Sequence, residues 1–181
     1  MRLHTTDLKD VFLLEPPAFD DERGTFVVSY NEEALQKVGI QGPFIQDNES
    51  LSLKAGTLRG LHFQLEPDAQ TKIVRCTAGA IFDVVVDLRP DSDTFGTWRG
   101  FHLSAENRLQ LVVPKGFAHG FCTLLPHTVV AYKVDAPYAA THEAGIRWDD
   151  PDLNIDWPIK DPILSEKDRA LPKLTEARLQ L

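Results

Sequence analysis

Apolar and polar residues alternate along short runs of this chain, the period of half-buried strands. The clearest run is IFDVVVDLR, residues 81–89. Phe82, Val84, Val86 and Leu88 fall on one face of it, and Ile81, Asp83, Val85 and Asp87 on the other. LQLVVP (109–114) and TVVAYKV (128–134) predict two more strands. Turn residues punctuate the runs at KAG (54–56), TAG (77–79), RPDSDTFG (89–96) and PKG (114–116). From about Phe44 to Val134 the chain reads as many short strands at steady spacing, the pattern of a β-sandwich or barrel. A barrel of this size can enclose a small ligand. Helix signals are few. NEEALQKVG (31–39) predicts a short helix ending at Gly39, and Ser165 is a candidate N-cap with Asp168 three residues later in place of the usual Glu. WDDPDLNIDWPIKDP (148–162) is expected to be an ordered surface loop, and Trp98, Trp148 and Trp157 to be packing residues.

Composition narrows the classes. A chain of 181 residues suits one domain with a sizeable core, and 43% hydrophobic with 25% charged residues fits a globular protein. The net charge of -8 argues against a nucleic-acid partner, which needs a basic surface. It leaves room for an anionic small molecule in a locally basic pocket. No run approaches the length of a membrane span, and MRLHTTDLKDVFLLEPP places acidic residues and prolines where a signal peptide has its apolar core. A cytoplasmic protein without a membrane partner is expected. Cys76 and Cys122 each sit in an apolar run and read as buried free thiols.

Several strand-like runs carry side chains capable of chemistry. LRGLHFQ (58–64) holds Arg59 and His62 around Gly60; Lys72 opens KIVRC, Asp83 sits between Phe82 and Val84, His119 lies in GFAHGF and Tyr132 in VVAYKV. Taken singly, each has an ordinary reading: a satisfied core histidine or tyrosine, a solvated lysine or aspartate. Taken together they are a base, an acid, a cation and hydrogen-bonding groups. If their faces turn into one barrel, they form a site for proton chemistry. Parity puts Tyr132 with Val130 and Val134, Asp83 with Asp87, and His62 with Gln64. Arg59 and His62 have opposite parity, so sharing a cavity requires a bulge at Gly60. PKGFAH (114–119) looks like the second metal motif of the cupin barrels, whose first motif supplies His-x-His and then a Glu. Here that place reads His62-Phe63-Gln64 and no Glu follows, so two histidines lack their carboxylate partner. A cupin-like barrel working without a metal is the reading. A metal-dependent cupin and a non-catalytic sugar-nucleotide-binding barrel are the competitors.

The whole chain resembles the dTDP-4-dehydrorhamnose 3,5-epimerase family. The resemblance is carried by FDDERGTF (19–26), QDN (46–48), LRGLHFQ (58–64), KIVRC (72–76), FDVVVDLR (82–89), TFGTW (94–98), LSAEN (103–107), PKGFAHGF (114–121), AYKV (131–134) and SEKD (165–168). It implies a mainly β fold, a cupin-like jelly-roll barrel with short flanking helices. One domain would span 1–181: an N-terminal arm to about 43, a barrel over about 44–158, and a C-terminal helix and tail over about 159–181. It implies epimerisation of a dTDP-4-keto-6-deoxy sugar at C3 and C5, without cofactor or metal, by a homodimer in which one subunit's N-terminal segment completes the other's site. His62 would be the base, Asp168 its partner, Tyr132 the acid and Lys72 the holder of the enolate oxygen. Arg23, Gln46, Asn48, Arg59, His119, Glu143 and Lys167 match substrate-contact positions, with Arg23, Arg59 and Lys167 suited to the diphosphate. Phe26 and Tyr138 match positions near the nucleoside, and Asp83 a carboxylate near base and sugar. One departure stands out: Val28 occupies a position where the family usually has a substrate-contacting Glu. Relatives in antibiotic deoxysugar pathways invert a single centre, so Val28 makes a 3- or 5-epimerase the alternative.

Overall fold

A computed structural model describes residues 1–177 and residue 179. In chain order the elements are β1 (Arg2–Thr5), β2 (Phe12–Glu15), β3 (Ala18–Asp21), β4 (Gly24–Val27), α1 (Glu32–Lys37), β5 (Gln46–Ser52), β6 (Leu58–Gln64), β7 (Lys72–Ala78), β8 (Ala80–Asp87), β9 (Trp98–Ser104), β10 (Gln110–Val113), β11 (Phe117–Thr123), β12 (Thr128–Val134), β13 (Glu143–Gly145) and α2 (Glu166–Arg169), with a 3-10 turn at Leu174–Glu176. The mainly β prediction holds. Helix α1 starts where Asn31 accepts a hydrogen bond from the Ala34 N–H, and Gly39 follows it at φ +90°, as the sequence predicts. Among the described residues no helix is long and apolar enough to cross a membrane.

Two antiparallel sheets make the cupin-like barrel. One runs β1-β2-β10-β7-β12-β5 and the other β13-β6-β11-β8-β9, while β3 and β4 form a separate hairpin. Of the N-terminal arm, β1 and β2 lie within the larger sheet, because β2 pairs with β10. Strand alternation sorts the core. Val74, Cys76, Leu111 and Val130 of one sheet meet Ile81, Val85, Leu103, Phe117 and Phe121 of the other in the barrel interior. Val84, Val86 and Leu88 on the opposite face of β8 join a second cluster with Leu61, Phe63, Ile146, Leu153 and Trp157. The two faces of IFDVVVDLR therefore divide as its alternation predicts.

The segment 148–162 is the ordered surface loop expected, and it is also a cover. It lies over the smaller sheet and buries Leu153 and Trp157 there. Asp150, itself buried, holds it in place by accepting from the N–H groups of Asp152, Leu153 and Leu174. An irregular backbone can cover a sheet when a side chain supplies its missing hydrogen bonds. Cys76 and Cys122 are buried free thiols.

Candidate active site

The cavity depends first on a phase slip in β6. His62 pairs with His119 and Arg59 with Phe121, so two steps along β11 match three along β6. The extra residue is a bulge, and the reason is steric. Gly60 has φ +121°, and a Cβ on it would sit 2.6 Å from Gly120 Cα and 2.8 Å from the His119 carbonyl oxygen. A Cβ on Gly120 would lie 2.8 Å from the Arg59 oxygen. Only two facing glycines let the strands close here. After the slip, Leu58, Leu61 and Phe63 all point to the outer core, while Arg59 and His62 both line the cavity. The bulge expected at Gly60 is present.

Two cavities of about 270 and 180 Å³ share His62, Lys72 and Tyr132. Arg59, His119, Lys167 and Asp168 line the first, and Gln46, Asn48, Tyr138 and Glu143 the second. They open on parts of β5, β6, β7, β11, β12, β13 and α2, whose inward side chains converge. Tyr132 stands on the Val130 face of β12, as parity predicts.

His62 Nε2 is 2.6 Å from Asp168 Oδ1. The other carboxylate oxygen, Oδ2, accepts from Ser165 Oγ at 2.7 Å, and Ser165 Oγ in turn accepts from the Asp168 N–H. The cap of a one-turn helix thus fixes the carboxylate that orients the imidazole. Burial pushes the Asp168 carboxyl up, but hydrogen bonds from His62, Ser165 and the Gly60 N–H outweigh it and hold the carboxyl below its ordinary range. His119 makes a second, deeper pair with Asp83 at 2.8 Å, and Asp83 Oδ2 is buried without a hydrogen-bond partner among the described residues.

Lys72 forms no ion pair or side-chain hydrogen bond among the described residues. Burial pushes its ammonium down to about 8, against the carboxylates of Asp83 and Glu143, which raise it. Burial likewise pushes the Tyr132 phenol up, partly offset by Arg59. Glu143 accepts from Tyr138 Oη at 2.6 Å and pairs with Lys167 at 2.5 Å. Arg59, Lys72 and Lys167 give the walls a cationic character that the net charge of the chain conceals. Among the described residues no group of three or more His, Cys, Asp or Glu side chains is arranged to hold a metal ion. Gln64, at the position of the second cupin histidine, is committed to backbone groups.

Eleven of the fourteen predicted site residues line these cavities. Asp83 lies behind His119 and touches the site through it. Arg23 and Phe26 are elsewhere, on the β3–β4 hairpin: Arg23 is paired with Asp21, and Phe26 is 68% exposed, its ring centroid 6.5 Å from that of Phe19. Val28, just beyond β4, lines a separate hollow with Met1, Pro17 and Asn31. Ser50, Phe121 and Ser165 also line the cavity but were not read as site residues. Ser50 shares the parity of Gln46 and Asn48, which was the available signal.

Comparison with known proteins gives a consistent result. Residues 5–176 match the family model described as dTDP-4-dehydrorhamnose 3,5-epimerase. The chain is 49% identical to the dTDP-4-dehydrorhamnose 3,5-epimerase of Shigella flexneri over 98% of each chain. A crystal structure of the Bacillus anthracis dTDP-4-dehydrorhamnose 3,5-epimerase, with TDP and PPi bound, superimposes with a TM-score of 0.94 at 57% identity, covering 96% of this chain and 99% of that one. Similarity to the dTDP-4-dehydrorhamnose 3-epimerase of Streptomyces niveus is lower, 37% identity over 98% of this chain and 86% of that one.

Proposed function

The chain belongs to the dTDP-4-dehydrorhamnose 3,5-epimerase family, and from that premise we propose how its cavity works. The protein is an epimerase of a dTDP-4-keto-6-deoxy sugar, of the kind used in rhamnose biosynthesis. A proton on the carbon beside a ketone is only weakly acidic, so its removal needs a base and a stabiliser for the oxyanion that forms. His62, oriented by Asp168, takes the proton. The C–H electrons pass into a carbon–carbon double bond, and the C4 oxygen becomes an enolate facing the Lys72 ammonium. A fixed cation in a cavity that excludes water stabilises that charge far better than water does. Tyr132, across the cavity from the imidazole, returns a proton to the opposite face of the same carbon and is reprotonated from solvent. The configuration inverts, His62 gives its proton up to solvent, and repetition at the second carbon completes the reaction. Arg59 and Lys167 hold the diphosphate, and Gln46, Asn48, His119 and Glu143 contact the sugar and its surroundings.

The observation that carries this reading is the joint presence on one cavity of the His62–Asp168 pair, Tyr132 and a Lys72 that is unpaired among the described residues. Arg23 and Phe26 act on a partner's site. Support comes from the β3–β4 hairpin, whose Phe19 and Phe26 are 60% and 68% exposed, and from the edge strand β5, whose Leu51 is 52% exposed. A homodimer covers both surfaces. The buried free thiols fit a reducing, cytoplasmic compartment. Both C3 and C5 are inverted, a reading supported by greater identity to the 3,5-epimerases than to the 3-epimerase and by Val28 lying away from the His62 cavity.

The test is solvent exchange. The protein is incubated with dTDP-4-keto-6-deoxyglucose in deuterium oxide with a chelator, and C3 and C5 are followed by NMR. Deuterium at both carbons is expected. Deuterium at one carbon would establish a single-centre epimerase and give Val28 a part in the choice. No exchange would sink the assignment for this substrate, and exchange abolished by the chelator would return the metal-dependent cupin.

A further inference from the structure

Gln64 is 6% exposed and its amide is nearly saturated. Nε2 donates to the Asp68 carbonyl at 2.6 Å and to the Pro137 carbonyl at 3.1 Å, and Oε1 accepts from the Ala139 N–H at 2.8 Å. Two of these three bonds go to the residues immediately before and after Tyr138. Gln70 reinforces them by donating to the carbonyls of Ala136 at 2.8 Å and Pro137 at 3.2 Å. Further along, His142 Nδ1 is 2.6 Å from Asp68 Oδ2, and the Thr71 N–H donates to Asp135 Oδ1 at 2.7 Å. The loop 135–142 is thus held to the β6–β7 connection largely by side chains, where a strand would use its ladder.

Such a clamp serves no core, since Tyr138 is 58% exposed. What it does fix is the root of the Tyr138 side chain, while the bond to Glu143 fixes the tip. We propose that Gln64 is a positioning residue for nucleotide binding: it holds the backbone on both sides of Tyr138 and so presents that ring, with Glu143, to the nucleoside end of the substrate. The inference rests on the epimerase reading, in which Tyr138 lies against the nucleoside. It gives a use to the third residue of His62-Phe63-Gln64, the place where a metal-binding cupin carries its second histidine. The amide there serves the ligand through a loop.

The experiment is a double-mutant cycle on dTDP affinity, measured calorimetrically. Gln64→Met keeps the length and removes all three bonds. It is expected to weaken dTDP binding about tenfold, while exchange at saturating sugar stays within about threefold of wild type. Tyr138→Ala alone is expected to weaken binding by a similar factor. The double variant should bind no more weakly than Tyr138→Ala, because Gln64 then has nothing left to position. Losses that multiply would mean that Gln64 acts elsewhere, and would overturn the proposal while leaving the epimerase reading intact. Failure of the wild type to bind dTDP would remove both. If Gln64→Met does not fold, Gln70→Met removes the bonds to Ala136 and Pro137 from a more exposed position, and the same cycle with Tyr138→Ala decides.

Discussion

Strand β8 carries two aspartates on its interior face, four residues apart and both fully buried, and they live in opposite circumstances. Asp87 is saturated. It accepts from the N–H and the guanidinium of Arg89, from Ser92 Oγ at 2.6 Å and from Thr94 Oγ1 at 2.6 Å. Every one of those donors lies within seven residues, in the turn RPDSDTFG. Asp83 has one oxygen on His119, and the other has no hydrogen-bond partner among the described residues. Its neighbours Lys72 and His119 come from two other strands. A buried polar atom without a partner costs roughly 1–3 kcal/mol, a cost that the bonds of Asp87 avoid. The saturated carboxylate is a local staple of the turn. The unsatisfied one lies behind His119, at the wall of the candidate site.

The contrast can be broken most severely at the open region. His62→Ala is expected to lower the exchange rate by about 10²–10⁴-fold, the usual contribution of a placed base. Its midpoint of thermal unfolding should stay within a few degrees of wild type. A variant that unfolds instead would make the imidazole a structural residue.

Lys72→Met comes next, with a fall of about 10²–10³-fold from loss of the oxyanion stabiliser. Stability should move the other way. The folded protein depresses this ammonium from 10.5 to about 8, so the unfolded chain binds more protons between those values. The wild type carries a penalty below pH 8 that is relieved as pH rises toward 10.5. Lys72→Met should therefore be the more stable protein at pH 7, and its stability should be flatter over that window. Chemical denaturation at pH 7 and pH 9.5 reads both.

At the closed region the effect is on folding. Asp87→Ala is expected to destabilise by about 2–4 kcal/mol, since it strands Arg89, Ser92 and Thr94, while activity per folded molecule is unchanged. Asp83→Asn should change stability by less than about 1 kcal/mol and lower activity. Equal losses of stability from both would end the distinction.

The last effect is confined to acid. Burial raises the Asp87 carboxyl, but the bonds from Arg89, Ser92 and Thr94 prevail and bring it to about 2. Its contribution, about 2 kcal/mol, is complete above pH 4 and is lost as pH falls toward 2. Asp87→Asn should flatten the loss of stability over that interval in acid denaturation.

The same division explains what the sequence made legible. The faces of β8, the Asn31-to-Gly39 helix and the turns are local, and alternation or a single capping residue reveals them. Gly60 announced a bulge by interrupting LRGLHFQ, yet its counterpart Gly120 did not, because pairing between β6 and β11 is invisible in a linear reading. The cover formed by 148–162 has no period, being held by Asp150 to distant N–H groups. His62 and Asp168 are 106 residues apart. Their place as polar side chains in strand-like runs singled out Lys72, Tyr132 and His62, but only the family resemblance joined Asp168 to them. The Gln64 clamp escaped both routes, since its partners are backbone groups, which no side-chain pattern records.

The slip at Gly60 also sets a length. A regular strand offers same-side side chains at intervals of two residues, about 7 Å, and then about 13 Å. With one residue added between them, Arg59 and His62 point the same way although three residues apart, and they face two residues of β11 that stand only about 7 Å apart. The facing glycines therefore act as a gear: two side chains that plain alternation would send to opposite faces reach one wall at the spacing of neighbours.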